Sequence, residues 1–188
     1  MIYYFYIELQ ETNPLVWRRL VIAPGYTVYQ LHMAIQGAFG WGNSHLFKFC
    51  ENGLEDPAGY GHVFKDRDID DLTKDAKKTS IVKAFSKASR INTYVYDFGD
   101  YWLHTIKLEK IEAREFEGAY CIGGSGACPP DDVGGVSGYA HMLEIMAYPK
   151  SPERKEFITW LGLGPGEKWK ADFFSVRDAN IRLALLEW

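Results

Sequence analysis

Alternating apolar and polar positions open the chain and predict a β-hairpin. Every second residue from Tyr3 to Leu9 is apolar or aromatic, which places one side of an extended strand against a core. After the turn sequence E-T-N-P, residues 15–22 continue as a second strand. Arg18 and Arg19 are neighbours in this strand, so their side chains lie on opposite faces.

The pattern changes to a helical period after this hairpin. Thr27 is placed to cap a helix over residues 28–39, whose apolar side chains recur three or four positions apart. Strand-like segments follow at 45–51, 93–98 and 101–112, and the last two are joined by the tight turn D-F-G-D. The middle of the chain therefore predicts more antiparallel sheet, with one helix packed on it.

Glycine, proline and aspartate mark the segments between these elements. Residues 52–72 and 118–138 are rich in them, and both are predicted to be loops. Helical patterns close the chain at about 139–147, 152–161 and 176–186. Strands early in the chain and helices at its end predict an α+β fold rather than alternating βαβ units. We expect a mostly antiparallel sheet built from hairpins, packed by one central helix and C-terminal helices.

Composition and charge narrow the classes of protein. The chain has 188 residues, 47% of them hydrophobic and 24% charged, as expected for one globular domain over residues 1–188. The formal net charge of −4 argues against a dedicated nucleic-acid-binding domain, which usually carries a basic surplus. The uncharged stretch 20–47 contains Pro24, Gly25 and several polar side chains, so it predicts a buried segment rather than a membrane span.

Cysteine usage indicates the compartment. Cys50, Cys121 and Cys128 are an odd and sparse set without the spacing of a disulfide framework or a zinc knuckle, so we expect a reducing cytoplasm. The first residues also lack the basic segment and apolar core of a signal peptide. A nucleophilic cysteine would need a base such as His104 or His141 beside it, and we favour buried, inert thiols instead.

The segment Y-D-F-G-D-Y-W-L-H, residues 96–104, is the first that could carry chemistry. Asp97, Asp100 and His104 supply two carboxylates and an imidazole, which suit a divalent ion or a proton shuttle. In the structural alternative the aspartates satisfy amides of the turn and His104 is a half-buried residue of the sheet. We favour this alternative, because aspartate commonly serves turns in this way.

A glycine-rich segment, residues 123–135, is the second candidate. Its glycines let the backbone approach a ligand or another segment closely, and two prolines stiffen the backbone ahead of Asp131 and Asp132. It matches neither a phosphate-binding loop nor a dinucleotide fingerprint. A rigid loop that covers the core and a functional loop explain it equally well.

Two further groups of side chains are weaker candidates. His32 and His45 lie in an aromatic stretch that packing explains better than chemistry. Lys83, Lys87 and Arg90 would line one face of a short helix, where they are candidate phosphate contacts for a nucleic acid.

Five motifs occur in an order that identifies a family resemblance. They are N-P-L-V-W-R-R (13–19), L-H-M-A-I-Q-G-A-F-G-W (31–41), H-L-F-K-F (45–49), Y-D-F-G-D-Y-W-L-H (96–104) and A-C-P-P-D-D-V-G-G-V-S-G-Y (127–139). Together they resemble the plasmid-Ri open-reading-frame-three family over nearly the whole chain. Phe47 stands where relatives often carry a second histidine.

The resemblance implies a single α+β domain and an association with plasmids and mobile elements. Some relatives carry the label of transposon resolvase. A serine resolvase needs a nucleophilic serine surrounded by arginines and a basic helix-turn-helix, and neither is visible in this sequence. The family motifs are rich in carboxylates, histidines and glycine loops, which favours a site that the family shares.

The function stays open between a binding module and an enzyme. We favour a binding or interaction module associated with plasmid or mobile-element biology, with a protein or a small ligand as its partner rather than a nucleic acid or a membrane. Its groove would lie between the 96–104 hairpin and the 123–135 loop, lined by Tyr96, Trp102 and Tyr139. The candidate pocket residues are Asp97, Asp100, Trp102, His104, Asp131, Asp132, Tyr139, His32 and His45.

The alternative is a divalent-metal-assisted hydrolase or nuclease. His104 or His45 would act as its base, and no cofactor other than a divalent metal is indicated. The ion would be held by the carboxylates of Asp97, Asp100, Asp131 and Asp132.

Overall fold

A computed structural model describes residues 1–64, 72–86 and 91–188. The strands in these segments are β1 (Ile2–Leu9), β2 (Val16–Ile22), β3 (Phe47–Cys50), β4 (Ala58–Gly61), β5 (Leu72–Asp75), β6 (Thr93–Tyr96), β7 (Trp102–Glu112) and β8 (Ala119–Ser125). The helices are α1 (Val28–Phe39), α2 (Ile81–Ala84), α3 (Gly135–Ala147), α4 (Arg154–Trp160) and α5 (Val176–Ala184), with a short 3₁₀ helix at Gly53–Glu55. In the described part of the chain, no helix combines the length and the apolar character that crossing a bilayer requires.

One sheet organises the molecule. Its strands lie in the order β5-β4-β3-β6-β7-β1-β2-β8, and every neighbouring pair is antiparallel except the parallel pair β4 and β5. A single cluster of buried side chains joins the sheet to α1, α3 and α5. The prediction of an α+β fold with a mostly antiparallel, hairpin-based sheet is therefore confirmed.

The opening hairpin forms as the alternation predicts. β1 pairs with β2 in a continuous antiparallel register, and the alternate side chains from Tyr3 to Leu9 are buried. Arg18 points into the core, whereas Arg19 lies on the outer face and donates two hydrogen bonds to the Glu109 carboxylate. The two neighbouring arginines therefore have separate roles, because a strand directs successive side chains to opposite faces.

Helix α1 begins and ends as its sequence dictates. The Thr27 side chain accepts a hydrogen bond from the N–H of Gln30, and the Gln30 side chain accepts one from the N–H of Thr27, which completes a capping box. At the other end Gly40 has a left-handed φ of 106° and donates its N–H to the carbonyl of Gln36. The predicted helix over residues 28–39 matches the observed one.

The prediction of a loop over 118–138 is wrong in two places. β8 lies inside it, and α3 already begins at Gly135. Glycine weakens most strands, but Gly124 is required in β8 because a Cβ atom there would lie 2.6 Å from the ring of Phe174. The connection between β8 and α3 is thus only residues 126–134, which we call the β8–α3 loop.

The prediction of a surface loop over 52–72 is also wrong in part. β4 lies within it, and β5 begins at its last residue. These two strands pair in parallel at the edge of the sheet. A hairpin pattern predicts only antiparallel pairs, so it does not predict this one. Residues 65–71 of this segment lie outside the described residues.

Helix α5 connects α1 to the edge of the sheet. The Nε of Arg182 donates to the carbonyl of Gly37 in α1 at 2.7 Å. On β8, the Asn180 side chain accepts from the N–H of Cys121 at 2.9 Å and donates to its carbonyl at 2.8 Å. These bonds hold α5 against both α1 and β8.

We expect Gly138→Ala to destabilise the fold. A Cβ atom at Gly138 would lie 1.9 Å from the carbonyl oxygen of Val133, so the backbone of the β8–α3 loop would have to shift. Overpacking of this kind lowers the free energy of unfolding by about 1–3 kcal/mol, more than the gain from higher helix propensity. Urea denaturation measures the change.

The matched control is Gly25→Ala. Gly25 is exposed and a Cβ atom there would meet nothing within 4 Å, so its effect should stay within about 0.5 kcal/mol. Equal stability of the two variants would contradict the close contact between Gly138 and Val133.

Candidate functional site

The turn between β6 and β7 is built around Asp97. Its backbone has a left-handed φ of 56°, and its Oδ1 accepts hydrogen bonds from the N–H groups of Gly99 at 2.9 Å and Asp100 at 3.3 Å. Aspartate suits this position, because its side chain closes such turns and tolerates the left-handed region. One carboxylate oxygen of Asp97 is committed to the turn, and Oδ2 faces His45.

Carboxylates hold the β8–α3 loop against its neighbours. Oδ2 of Asp100 accepts a hydrogen bond from the N–H of Gly134 at 3.1 Å. Asp131 accepts from the N–H of Gly42 at 3.2 Å and from the hydroxyl of Tyr96 at 3.3 Å. The structure therefore places the acidic turn and the loop side by side. The carboxylates of Asp100 and Asp131 accept the hydrogen bonds that hold them there.

His45, Asp97 and Asp132 converge where the turn meets the loop, and we call them the His45 cluster. Nε2 of His45 lies 3.5 Å from Oδ2 of Asp97 and 3.3 Å from Oδ1 of Asp132. One ligand atom from each residue falls within 4.8 Å of the other two. The Asp132 side chain is 73% exposed, so the cluster is open to solvent on one side. An imidazole nitrogen with two carboxylate oxygens is a donor set that Zn²⁺ and Mn²⁺ accept.

The four aspartates predicted to hold a metal do not form one group. Among the described residues, Asp97 and Asp132 meet at His45, whereas Asp100 and Asp131 lie outside this cluster. The physical reason is that Asp100 and Asp131 serve backbone amides that approach from other segments.

Two other predicted site histidines lie inside the core. Nδ1 of His104 donates toward the carbonyls of Trp102 at 2.9 Å and Tyr94 at 3.1 Å. His32 bonds through Nδ1 to the hydroxyl of Tyr94 at 2.8 Å and through Nε2 to Oδ1 of Asn43 at 2.6 Å. Burial lowers the pKa of each imidazole to about 3. Both are neutral and enclosed, so neither is placed to act as a base on a substrate at the turn.

The aromatic residues predicted to line a groove are core residues instead. Tyr96, Trp102 and Tyr139 are all buried. The Trp41 ring packs near two of them, with ring centroids 4.9 Å from Tyr96 and 6.1 Å from Trp102. Tyr96 faces inward from β6, Trp102 from β7 and Tyr139 from α3, which the prediction of an open groove did not take into account.

A cleft is present nearby with a different lining. It has a volume of about 770 Å³ and lies between the tip of the β6–β7 hairpin and the first turn of α3. We call it the turn–helix cleft. Its lining includes Glu11, Asp100, Tyr101, Gly134, Val136 and Ala140.

Sequence reasoning missed one wall of this cleft. Gln10 and Glu11 reach it from the turn after β1, and the N–H of Gln10 donates to the carbonyl of Leu103 at 2.9 Å. This contact exists because β1 pairs with β7 as well as with β2. Local patterns predict both hairpins but not their mutual pairing, so no sequence signal pointed to Glu11.

The basic region contributes little to this site. Lys83 is exposed on α2 and does not line the turn–helix cleft. Lys87 and Arg90 lie outside the described residues. The predicted basic face for nucleic acid therefore stays a prediction.

The cysteines are free thiols. Burial raises the pKa of Cys50, Cys121 and Cys128 above the ordinary thiol value. A protonated thiol is a poor nucleophile, so this environment favours the interpretation of buried, inert cysteines.

Comparisons with known proteins match nearly the whole chain. A family model described as Plasmid pRiA4b ORF-3-like protein matches residues 1–178. The uncharacterized protein y4hQ of Sinorhizobium fredii (strain NBRC 101917 / NGR234) is 33% identical over 180 residues, which cover 95% of this chain and 90% of that protein. The crystal structure of a protein of unknown function, MM3350 from Methanosarcina mazei Go1, matches with a TM-score of 0.78 and 29% identity, covering 94% of this chain and 96% of that chain.

The buried histidines predict a loss of stability in mild acid. The pKa of His104 is about 3 in the folded protein, below the ordinary value of 6.5, so the unfolded chain takes up the proton first as the pH falls. The stability that neutral His104 contributes is complete above the unfolded pKa and is lost between that pH and the folded pKa. The slope is about 1.4 kcal/mol per pH unit for each such histidine.

We therefore expect His104→Asn to flatten the pH dependence by about one proton between roughly pH 6 and pH 5. Asparagine keeps an N–H donor near the position of Nδ1 but does not titrate. Urea denaturation over this range gives the slopes, and His141→Asn, which removes an exposed imidazole from α3, is the control. Identical slopes for the parent protein and His104→Asn would contradict the neutral, buried state of His104.

Proposed function

This chain belongs to the plasmid pRiA4b ORF-3-like protein family, and we propose that it is a binding module whose ligand lies in the turn–helix cleft. The hydrogen bond from the N–H of Gly134 to the Asp100 carboxylate carries this proposal. It joins the two walls of the cleft at 3.1 Å. Walls that are already joined need less ordering when a ligand binds, which lowers the entropic cost of binding.

The lining of the cleft suits a protein segment. Val136, Ala140 and the exposed ring of Tyr101 offer apolar surface. Gly134 precedes α3 without a side-chain cap, so the N–H groups of the first helical turn lack a side-chain acceptor. A peptide that brings backbone carbonyls to these donors and a small apolar side chain to the wall would satisfy both features.

Several contacts support binding over catalysis. Asp100 and Asp131 accept hydrogen bonds from backbone amides, and His32 and His104 are enclosed in the core. The two aspartates hold the turn and the loop in place, and the two histidines bond to residues of the core and its edge. We further propose the cytoplasm as the location, supported by the three free thiols, and a role in plasmid or mobile-element biology, supported by the description of the family.

Peptide selection tests the proposed cleft. We expect a random peptide library displayed on phage to yield ligands whose affinity falls at least about tenfold in Ala140→Arg, because the long cationic side chain fills the cleft. The control is Ala147→Arg, an exposed alanine on the same helix outside the cleft, which should leave the affinity unchanged.

Two results would overturn the binding module. One is selected peptides that bind the parent protein and Ala140→Arg equally. The other is turnover in a hydrolase, phosphatase and nuclease screen that Asp100→Ala abolishes.

The His45 cluster supports a second candidate, a divalent-metal-assisted hydrolase or nuclease. Its specific observation is the convergence of His45, Asp97 and Asp132 with their ligand atoms within 4.8 Å of one another. In this candidate function His45 is a nitrogen ligand of the metal ion, and the carboxylates of Asp97 and Asp132 are its oxygen ligands. The exposed side of Asp132 leaves room for a substrate oxygen at the ion.

Calorimetric titration with Zn²⁺, Mn²⁺ and Mg²⁺ tests this candidate. We expect one site that prefers Zn²⁺ or Mn²⁺ over Mg²⁺, because the donor set includes a nitrogen. Asp132→Asn should weaken binding by about tenfold or more, and Asp172→Asn, an exposed aspartate elsewhere, should not. Absence of binding at millimolar metal would remove the candidate.

A further inference from the structure

Arg18 carries a positive charge into the interior of the protein. Its side chain is 1% exposed. The guanidinium donates at 2.8 to 3.0 Å to four backbone carbonyls, those of Ala38, Trp17, Ser125 and Gly126. Across the described residues, no carboxylate lies within 4.0 Å of it. A buried charge without a counter-ion is unfavourable, so an anion that reached this site would be stabilised.

Among the described residues, four N–H groups of this guanidinium have partners and one donor remains for such an anion. A guanidinium has five N–H groups, and the four bonds use both groups of Nη1, the one of Nε and one of Nη2. Arg18 also forms part of the wall of a cavity beside α5, which we call the α5 pocket. The rings of Phe174 and Phe39 flank its Cζ at 4.0 and 4.8 Å.

The α5 pocket is positive although the chain as a whole is negative. Arg182, Lys168 and Lys170 join Arg18 around it. Asp178 is the acidic member among the described residues that line it, so four cationic side chains face one carboxylate. The formal net charge of the chain is −4. A concave site with this local excess attracts anions from solution.

The remaining wall of the pocket is aromatic. Phe39, Trp169, Phe173 and Phe174 contribute to it, and its volume is about 480 Å³. This is the size of sites for small organic ligands, which lie in the range of about 300–1,000 Å³. An inorganic ion would leave the rings without a partner, whereas a flat apolar body fills the space between them.

We propose that the α5 pocket binds a small organic anion, a flat aromatic body that carries a carboxylate or a phosphate. The anionic group lies toward Arg18 and the rim cations, and the aromatic body lies among the phenylalanine rings and Trp169. The α5 pocket and the turn–helix cleft share no lining residue, so this site is independent of the function proposed above.

A matched pair of fluorescent probes tests the requirement for an anion. Anilinonaphthalenesulfonate is an aromatic anion, and phenylnaphthylamine has the same rings without the sulfonate. We expect titration of the folded protein at low salt to show one site that binds the sulfonate at least about tenfold more tightly. Added salt should reduce this preference, because the rim lysines are exposed.

Charge variants locate the probe. Lys168→Gln with Lys170→Gln should raise the dissociation constant of the sulfonate about threefold to tenfold and leave the neutral probe unaffected. The control pair is Lys150→Gln with Lys155→Gln, two exposed lysines outside the pocket, which should change neither. Arg18→Met should abolish the preference for the anion, and circular dichroism checks that this variant folds. Because the lysine variants alter exposed side chains, they keep the test decisive if Arg18→Met unfolds.

Competition distinguishes the two anionic groups. Displacement of the sulfonate by naphthoate and not by adenosine monophosphate assigns a carboxylate ligand, and the reverse assigns a phosphate ligand. The proposal is overturned if neither displaces it at millimolar concentration. It is also overturned if both probes bind equally, or if the lysine variants behave as their control pair does.

Discussion

The buried guanidinium of Arg18 is the constraint that joins the main elements of the fold. It donates to Ala38 in the last turn of α1, to its own strand at Trp17, and to Ser125 and Gly126 where β8 ends. Carbonyls in the last turn of a helix have no partner within the helix, so Ala38 needs an external donor. Since one side chain satisfies carbonyls from three elements, the end of α1 and the start of the β8–α3 loop must meet at this point.

Carboxylates hold the rest of the loop by accepting hydrogen bonds from backbone amides. Asp100 accepts from Gly134 at the end of the loop, and Asp131, in the middle of the loop, accepts from Gly42. The presence of Asp100 and Asp131 in the family motifs is therefore explained by the hydrogen bonds they accept, without a chemical role. This explanation does not cover the His45 cluster. Among the described residues, Oδ2 of Asp97 and the exposed carboxylate of Asp132 face His45 and hold no backbone amide.

Elements that depend on residues close together in the chain were predicted correctly. Elements that depend on contacts between distant segments were not. Thr27 and Gln30 are close in the chain, so the start of α1 could be read directly. β8 was missed because the close approach of the Phe174 ring requires Gly124 in the strand, and no local pattern reveals that distant ring. The meeting of His45 with Asp132 likewise depends on how the β8–α3 loop folds back. The burial of His104 could have been predicted, because it lies two residues from both Trp102 and Ile106 and so shares their buried face of β7.

The β8–α3 loop borders both the α5 pocket and the turn–helix cleft, which raises the question of communication between them. Coupling requires an element with two arrangements that both ligands bias. This loop is anchored at its start by Arg18, at Pro129 by the indole N–H of Trp41, at Asp131 by the N–H of Gly42 and at its end by Asp100. The loop is held at both ends and in the middle by hydrogen bonds to several different elements. A movement of the loop at one pocket would have to break these hydrogen bonds before it changed the other pocket. The architecture therefore favours two independent surfaces on one rigid scaffold.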